Sequence, residues 1–266
     1  MKRASELNYA FSVGKIRALE KFLIKEEVFE EAISSDLDSA LRLFVEADLY
    51  GEELMHVKDS GGLEIILSGE KAKLKKTTED LLIDHALIAL TDIRDLAVAQ
   101  KLAKAYGSGF LEDYFSCSID MHNIKTFLRL RILNEPQEKI EKFITSEGFL
   151  KKDFFFKLYT QDLSIFINRL EFVRKHNQFI DYADFLALPI EKLRSKRSFV
   201  ALEKAMHDFL IQILKPAKYF TFGPEPVLAY YFAKNNEIDL IRMIIIGKLN
   251  SLPEELLKER LNLVYA

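Results

Sequence analysis

Two stretches, "YFSCSIDMHNIKTFLRLR" at 114–131 and "YFAKNNEIDLIRMIIIGK" at 231–248, share one arrangement. Each starts with a Tyr and carries an acid six residues later, an Ile ten residues later and a base eleven residues later. At about 100° per helical residue, the Tyr and the base lie on one stripe of a helix, while the acid and the Ile lie on another. The pattern predicts that one helical unit occurs twice in the chain.

The candidate site residues come from these two copies: Tyr114, Asp120, Asn123, Lys125, Arg129, Tyr231, Glu237 and Arg242. Their ordinary interpretation is a solvated helix face whose ion pairs contribute about 0–1 kcal/mol each. The sharper interpretation is that acid and base link neighbouring modules or face a partner protein. We rank a link between modules above a partner contact, and both above catalysis.

A weaker third copy lies near the start of the chain. "VGKIRALEKFL" at 13–23 places Ile16 and Arg17 in phase, but Glu6 stands where the Tyr would be and Ser12 where the acid would be. Three related modules, with approximate ranges 1–76, 77–185 and 186–266, are therefore expected. Such modules can close around a pseudo-threefold axis or stack as a short solenoid.

Composition narrows the class of protein. The chain has 266 residues, is 49% hydrophobic and 30% charged, and its formal net charge is only −3. This balance is typical of a globular protein and argues against a general nucleic-acid binder, which carries a strongly basic surface. One Cys excludes an internal disulfide and fits a reducing compartment. We see no signal peptide in the first 21 residues and no apolar run of 18 residues that could span a membrane.

Apolar residues recur at spacings of three and four, which predicts an all-α protein. The clearest amphipathic helices are expected over 37–54, 78–106 and 198–214. The glycine-flanked "GLEIILSG" at 62–69 is the one stretch that could pair as a strand, and 60–76 is predicted to be a polar loop or a short irregular excursion.

Helix ends are also marked in the sequence. "GSG" at 107–109 is predicted to separate two helices, and "FGPEP" at 222–226 to begin the last long one. Ser251 is the expected N-cap of a short helix that has Glu254 and Glu255 in its first turn.

Catalytic and cofactor patterns are missing from the sequence. A metal site would have to use Cys117, Asp120 and His122, with His85, but this spacing fits no usual zinc pattern. Gly247–Lys248 lacks both the earlier Gly and the following Ser or Thr of a phosphate-binding loop. We therefore expect no metal, no cofactor and no catalytic site, and we expect Cys117 to be inert core.

The quoted residues resemble a known family. "DMHNIKTFLRLR" (120–131) with "SEGFL" (146–150), and the whole of 222–261, are similar to the two signature regions of the C subunit of V-type (A/V-type) ATPases and ATP synthases. The eukaryotic relative is the d subunit of the membrane sector. "YAFSVGKIRALE" (9–20) also resembles the opening helix of that family. The chain departs from the family in being shorter than most members and in having an unmatched segment at 55–80.

The resemblance implies a funnel-shaped, all-α, non-catalytic rotor connector. Such a protein would sit on the cytoplasmic face of the membrane, peripheral to it, and join the central-stalk subunits (D and F type) to the proteolipid c-ring during H+ or Na+ transport. The alternative is a free-standing helical-repeat adaptor that binds a helix or peptide in a concave face. The adaptor would explain the repeats, but not the detailed similarity at 222–261.

Overall fold

The computed structural model describes residues 5–47, 51–92, 95–170, 173–175 and 178–266. In these ranges the chain forms helices and one short hairpin, which confirms the all-α prediction. The helices are α1 Ala10–Leu19, α2 Glu26–Ser34, α3 Leu37–Ala47, α4 Ser60–Leu81, α5 Leu96–Tyr106, α6 Gly109–Ile132, α7 Lys139–Phe143, α8 Lys152–Leu158, α9 Leu163–Asn168, α10 Tyr182–Lys196, α11 Val200–Leu214, α12 Glu225–Leu249 and α13 Glu254–Lys258. Short 3-10 helices cover Glu6–Tyr9, Glu20–Phe22, Glu52–His56, His85–Thr91 and Lys215–Tyr219.

The hairpin pairs β1 (Val173–Lys175) with β2 (Gln178–Ile180) in antiparallel register, with Arg174 opposite Phe179. The chain divides into two compact units. A central unit comprises Ile93–Leu210, and a terminal unit combines Lys2–Asp92 with Ile211–Ala266. The division into three modules over 1–76, 77–185 and 186–266 stays a prediction.

The prediction of a polar loop over 60–76 is wrong, because α4 runs through this segment. The side chain of Asp59 caps the helix by accepting a hydrogen bond of 2.7 Å from the N–H of Gly62. Gly61 and Gly62 therefore lie in a capped first turn, where glycine does not break a helix. Beyond them, α4 buries one apolar stripe that includes Leu63, Leu67 and Leu74, and the helix packs against α12.

The single helix predicted over 78–106 is also interrupted. α4 ends at Leu81, and α5 begins only after the side chain of Asp95 accepts the N–H of Ala97 at 2.8 Å. Between them, Asp84 is held by a residue distant in sequence, since the Tyr9 hydroxyl donates to its carboxylate at 3.0 Å and accepts from its N–H at 2.9 Å. This tertiary contact overrides the helical pattern of the segment. The expected helix over 37–54 covers α3 and part of a 3-10 helix, with residues 48–50 outside the described ranges.

Most predicted helix boundaries are confirmed. Gly107 ends α5 with a φ of 83°, in the left-handed region that favours glycine, and the Ser108 hydroxyl caps α6 by accepting from Leu111 N–H at 3.3 Å. The proposed capping role of Ser251 is wrong. Its φ is 52°, so it lies in the turn that ends α12, and α13 starts after Pro253.

The ends of α6 and α12 repeat each other at the same offset of 117 residues. Asn134 and Ser251 both have positive φ, at 51° and 52°. Their N–H groups donate to the carbonyls of Arg131 and Lys248 at 3.1 and 3.0 Å. The next N–H in each copy bonds back five residues, Glu135 to Leu130 at 2.9 Å and Leu252 to Gly247 at 2.8 Å. Each long helix therefore ends in the same Schellman-type turn before its short helix.

Gly247 allows α13 to close onto α12. A Cβ atom at this position would lie 2.4 Å from the Cδ2 of Leu257, which is buried on α13. We expect Gly247→Ala to lower the free energy of unfolding by about 1–3 kcal/mol, since Leu257 would have to move within a packed contact. Gly69→Ala is the matched control in α4, because a Cβ there meets no atom within 4 Å. Urea unfolding should show the control unchanged or stabilised by up to about 1 kcal/mol; equal effects in both variants would contradict the packing role.

Candidate functional site

The acid of the first motif copy is a buried structural carboxylate. Asp120 lies on α6 with 0% of its surface exposed. Its Oδ1 accepts the backbone N–H of Leu150 at 3.0 Å, and its Oδ2 accepts the N–H of Phe149 at 3.1 Å and the hydroxyl of Tyr182 at 2.8 Å. Asp120 therefore joins α6 to the segment that leads into α8 and to the first residue of α10.

The approach of this segment requires a glycine. A Cβ atom on Gly148 would stand 2.1 Å from Oδ1 of Asp120. The "SEGFL" sequence thus places a residue without a side chain where the backbone passes the carboxylate. Two residues later, Leu150 is itself buried and gives its N–H to the same oxygen.

Burial and hydrogen bonding shift the pKa of Asp120 in opposite directions. Burial raises the pKa of Asp120 to about 7, while the N–H of Leu150, the Tyr182 hydroxyl and the N–H of Phe149 limit the rise. Tyr182 keeps its proton because burial raises the pKa of its phenol far above its usual value. The same hydroxyl lies 3.6 Å from Sγ of Cys117, a buried thiol as expected.

Asn123 adds a second tie between α6 and the chain that follows it. Its Nδ2 donates to the carbonyl of Thr145 at 2.7 Å, and its Oδ1 accepts the N–H of Thr145 at 3.0 Å. A fully buried Asn that pairs both of its polar ends with one residue's backbone fixes the register of the loop. Asn123 is therefore structural in the central unit.

The acid of the second copy has the same kind of partner. Glu237 on α12 is buried, and its Oε2 accepts the N–H of Ile24 at 2.7 Å, while its Oε1 pairs with the ammonium of Lys234. Burial raises the pKa of Glu237, and the positive charge of Lys234 opposes this shift. Burial lowers the pKa of Lys234, so each partner offsets the desolvation of the other.

The two carboxylates hold equivalent segments. Leu150 lies two residues before α8, and Ile24 lies two residues before α2. The residues between, Lys151 and Lys25, have nearly the same backbone angles, with φ of −85° and −80° and ψ of 159° in both. In each compact unit, a buried acid on the long helix fixes the entry of a short helix.

The bases of the motif lie elsewhere, at the surface. Lys125 and Arg129 both face Glu203, with Nζ–Oε1 and Nη2–Oε1 distances of 3.6 and 3.1 Å. Arg242 pairs with Glu64, and both side chains are about half exposed, at 51% and 41%. Within the described residues, the motif acids bond to backbone and the motif bases pair with other acids. The structure therefore does not bring acid and base of one motif together.

The two Tyr residues differ in their contacts. The hydroxyl of Tyr231 donates to the carbonyl of Thr91, which ties α12 to the end of the 3-10 helix at His85–Thr91. Tyr114 lines a cleft of about 280 Å³ together with His122, Lys125 and Glu203. Burial raises the pKa of the Tyr114 phenol well above its usual range.

Sequence reasoning missed several residues of the site: Gly148, Tyr182, Lys234 and Ile24. Two of them had a local signal: Gly148 stands inside the quoted "SEGFL", and Lys234 stands inside the second motif copy, three residues before Glu237. Across the ranges that the structure covers, no group of three or more His, Cys, Asp or Glu is placed to hold a metal ion. None of the helices in those ranges is long and apolar enough to cross a membrane.

Comparison with known proteins decides the family. A family model described as "ATP synthase (C/AC39) subunit" matches residues 74–260, which is well over half of the chain. The chain belongs to the C/AC39 subunit family. Both motif copies, with Asp120 and Glu237, fall inside the part that defines this membership.

Three relatives show how far the similarity to other C/AC39 proteins extends. The C subunit of the V-type sodium ATPase of Enterococcus hirae is 25% identical over 246 residues, covering 85% of this chain and 71% of the relative. The C subunit of the A-type ATP synthase of Methanocaldococcus jannaschii is 28% identical over 148 residues, covering 54% of this chain and 35% of the relative. That of Methanothermobacter thermautotrophicus is 21% identical over 253 residues, covering 90% and 64%. The chain thus spans less than two thirds of the two A-type relatives.

Removing the hydroxyl of Tyr182 tests whether its hydrogen bond to Asp120 stabilises this C/AC39 protein. Tyr182→Phe keeps the ring that packs edge-on against Phe209 at 5.4 Å but deletes the donor to Asp120. We expect the free energy of unfolding to fall by about 1–3 kcal/mol, because a buried acceptor loses a partner. Tyr219→Phe, at a site that is 87% exposed, is the control and should change nothing. Chemical denaturation of both variants measures this free energy. An unchanged value for Tyr182→Phe would contradict a stabilising hydrogen bond to Asp120.

The raised pKa of Asp120 predicts a pH dependence of stability. The folded-state pKa of about 7 exceeds the ordinary value of 3.8, so the folded protein binds a proton that the unfolded chain releases. This contribution to stability is complete below pH about 4 and is lost as the pH rises towards about 7. The Asp120→Asn variant has no ionisable group at this position. Relative to that variant, the free energy of unfolding of the wild-type protein should fall by a few kcal/mol between pH about 4 and about 7. Denaturation curves at several pH values measure the difference, and a constant difference would contradict the shift.

Proposed function

We propose that the protein is a non-catalytic rotor connector of a V-type ATPase or ATP synthase. In this role it joins the central-stalk subunits of D and F type to the proteolipid c-ring, at the cytoplasmic face of the membrane. The observation that carries the proposal is the family match over 74–260. The relatives are named as C subunits of a V-type ATPase and of A-type synthases, which supports membership of a rotary ATPase complex.

The internal construction fits a part that transmits torque. Such a part must resist shear between its helices without opening. Backbone N–H groups donate buried hydrogen bonds to the carboxylates of Asp120 and Glu237, and these bonds tie distant segments to the two long helices. A buried acceptor that loses its donor incurs a large desolvation penalty, so these ties resist sliding more strongly than apolar contacts alone.

The charged faces are the candidates for partner contact. Arg129 and Arg242 expose 51% of their side chains each, and each forms a surface ion pair. Surface pairs of this kind contribute about 0–1 kcal/mol to stability. Because little free energy is needed to break them, their charges can be used to recognise and orient an acidic partner surface.

The test is a binding assay with the full chain. We expect the tagged protein to retain the D- and F-type stalk subunits and, separately, the detergent-solubilised c-ring, and to hydrolyse no ATP. Capture of short peptides or isolated helices, with no affinity for either assembly, would support the helical-repeat adaptor instead.

Charge reversal distinguishes a partner contact from a structural one. Arg242→Glu should leave the unfolding free energy within about 1 kcal/mol of wild type, since its pair with Glu64 is solvated. The same change should weaken retention of the stalk subunits or the ring in a salt-dependent manner. Lys192→Glu, an exposed reversal on α10, is the control and should bind as wild type does. If the variant is less stable but each folded molecule binds its partners as wild type does, Arg242 has a structural role and is not a partner contact.

A further inference from the structure

A second cleft of the central unit lies away from the motif contacts described above. It has a volume of about 380 Å³ and is lined by residues from the end of α6, the start of α9 and the end of α10. Three arginines line it, Arg131, Arg194 and Arg197, together with a single acid, Asp162. The volume falls within the range of small-molecule sites, about 300–1,000 Å³.

Arg131 is held in place with one nitrogen unused. Its Nη2 donates to the carbonyl of Gln161 at 2.7 Å, and its guanidinium lies 5.7 Å from the ring centroid of Phe127. Its Nη1 is buried, yet among the described residues no acceptor reaches it. Buried donors are almost always satisfied in folded proteins. An oxygen of a ligand bound against this guanidinium would supply the missing acceptor.

The remaining charges make the cleft positive. Asp162 is already occupied by the cap of α9, since its Oδ1 accepts the N–H and the hydroxyl of Ser164 at 2.8 and 2.7 Å. Those hydrogen bonds lower the pKa of Asp162, and the charges of Arg194 and Arg131 lower it further. One carboxylate thus shares the lining of the cleft with three guanidinium groups. Bringing like charges together is unfavourable, and a bound anion would relieve the repulsion.

Geometry favours a tetrahedral oxyanion. A guanidinium presents its N–H groups in a planar fork that matches phosphate oxygens, and three such groups line this cleft from two helix ends. Arg197 reaches its position from a backbone with a φ of 52°, at the residue that ends α10. The lining also includes Leu128 and Leu193, which offer an apolar wall beside the charges.

We propose that this cleft binds the phosphate group of a phosphate ester, with the three guanidinium groups on its oxygens and the ester's apolar part against Leu128 and Leu193. The phosphate can belong to a soluble ester or to a phospholipid headgroup, because both present the same oxygens. This site is independent of the rotor-connector role, and it adds a small-molecule ligand to a protein whose other proposed contacts are with proteins.

Titration of the full chain at fixed ionic strength tests the proposal. Calorimetry with inorganic phosphate and with glycerol 3-phosphate should show saturable binding, tighter for the ester. Arg194→Gln and Arg197→Gln should each weaken binding by about tenfold, because each removes a charge-assisted bidentate contact. Lys196→Gln removes the same charge from the same helix outside the cleft, and it should change the affinity by less than about twofold.

The source of the phosphate is resolved by a second arm. Co-sedimentation with phosphatidylcholine vesicles that contain phosphatidic acid, compared with phosphatidylcholine alone, would show a lipid headgroup if sedimentation depends on Arg194 and Arg197. Binding of the soluble ester without vesicle binding would assign a soluble ligand. Absence of saturable binding in both arms would overturn the proposal. Equal losses in Lys196→Gln and in the cleft variants would also overturn it, since a diffuse basic surface would then account for the affinity.

Because Arg131 also supports Gln161, its substitution can disturb the fold. Arg131→Lys keeps the positive charge and removes the planar guanidinium. The melting temperature of this variant is measured together with its phosphate affinity. If Arg131→Lys melts as wild type does, we expect its phosphate affinity to fall about tenfold. If it melts lower, the exposed Arg194 and Arg197 variants decide the outcome alone.

Discussion

A carboxylate with no exposed surface, that of Asp120, sets the arrangement of the central unit. Placing it in the interior costs solvation, and the cost is offset only if donors stand at both oxygens. Two of the donors are backbone N–H groups at 149 and 150, so the segment between α7 and α8 has one acceptable position. Gly148 lets that backbone approach, and Tyr182 completes the set from α10. One buried acid thereby orders three parts of the fold.

In the terminal unit a buried carboxylate is also satisfied by hydrogen bonds, but from a different set of donors. Glu237 also accepts the N–H of a residue two positions before a short helix, but a lysine ammonium replaces the tyrosine hydroxyl as its second partner. Both long helices then end in the same turn, with a left-handed residue at 134 and at 251. The hydrogen-bonding requirement is what the two copies share, while the residue that supplies the second donor differs. This pattern is expected when a duplicated unit keeps its backbone geometry and exchanges side-chain partners.

These two buried acids separate the motif into an interior half and a surface half. The acids and the Ile residues hold the helices, whereas Lys125, Arg129 and Arg242 remain in solvent-screened pairs. In such a scaffold the surface ion pairs can be broken to contact a partner without destabilising the fold, because they contribute little to stability. The arginine-lined cleft is a further surface feature of the central unit, and it is independent of the motif contacts.

The all-α class, the two motif copies with their helix breaks, the family and the lack of familiar catalytic patterns can all be read from the residues in order along the chain. Those features depend on local spacing, which periodicity and turn residues record directly. The partners of Asp120 and Glu237, the helix at 60–81 and the interruption of 78–106 became evident only once the chain was seen folded. Tyr9 holds Asp84 across 75 residues, and Ile24 meets Glu237 across 213. No local pattern encodes such pairings, because a buried polar group takes its partner from whatever backbone the whole fold brings within hydrogen-bonding distance.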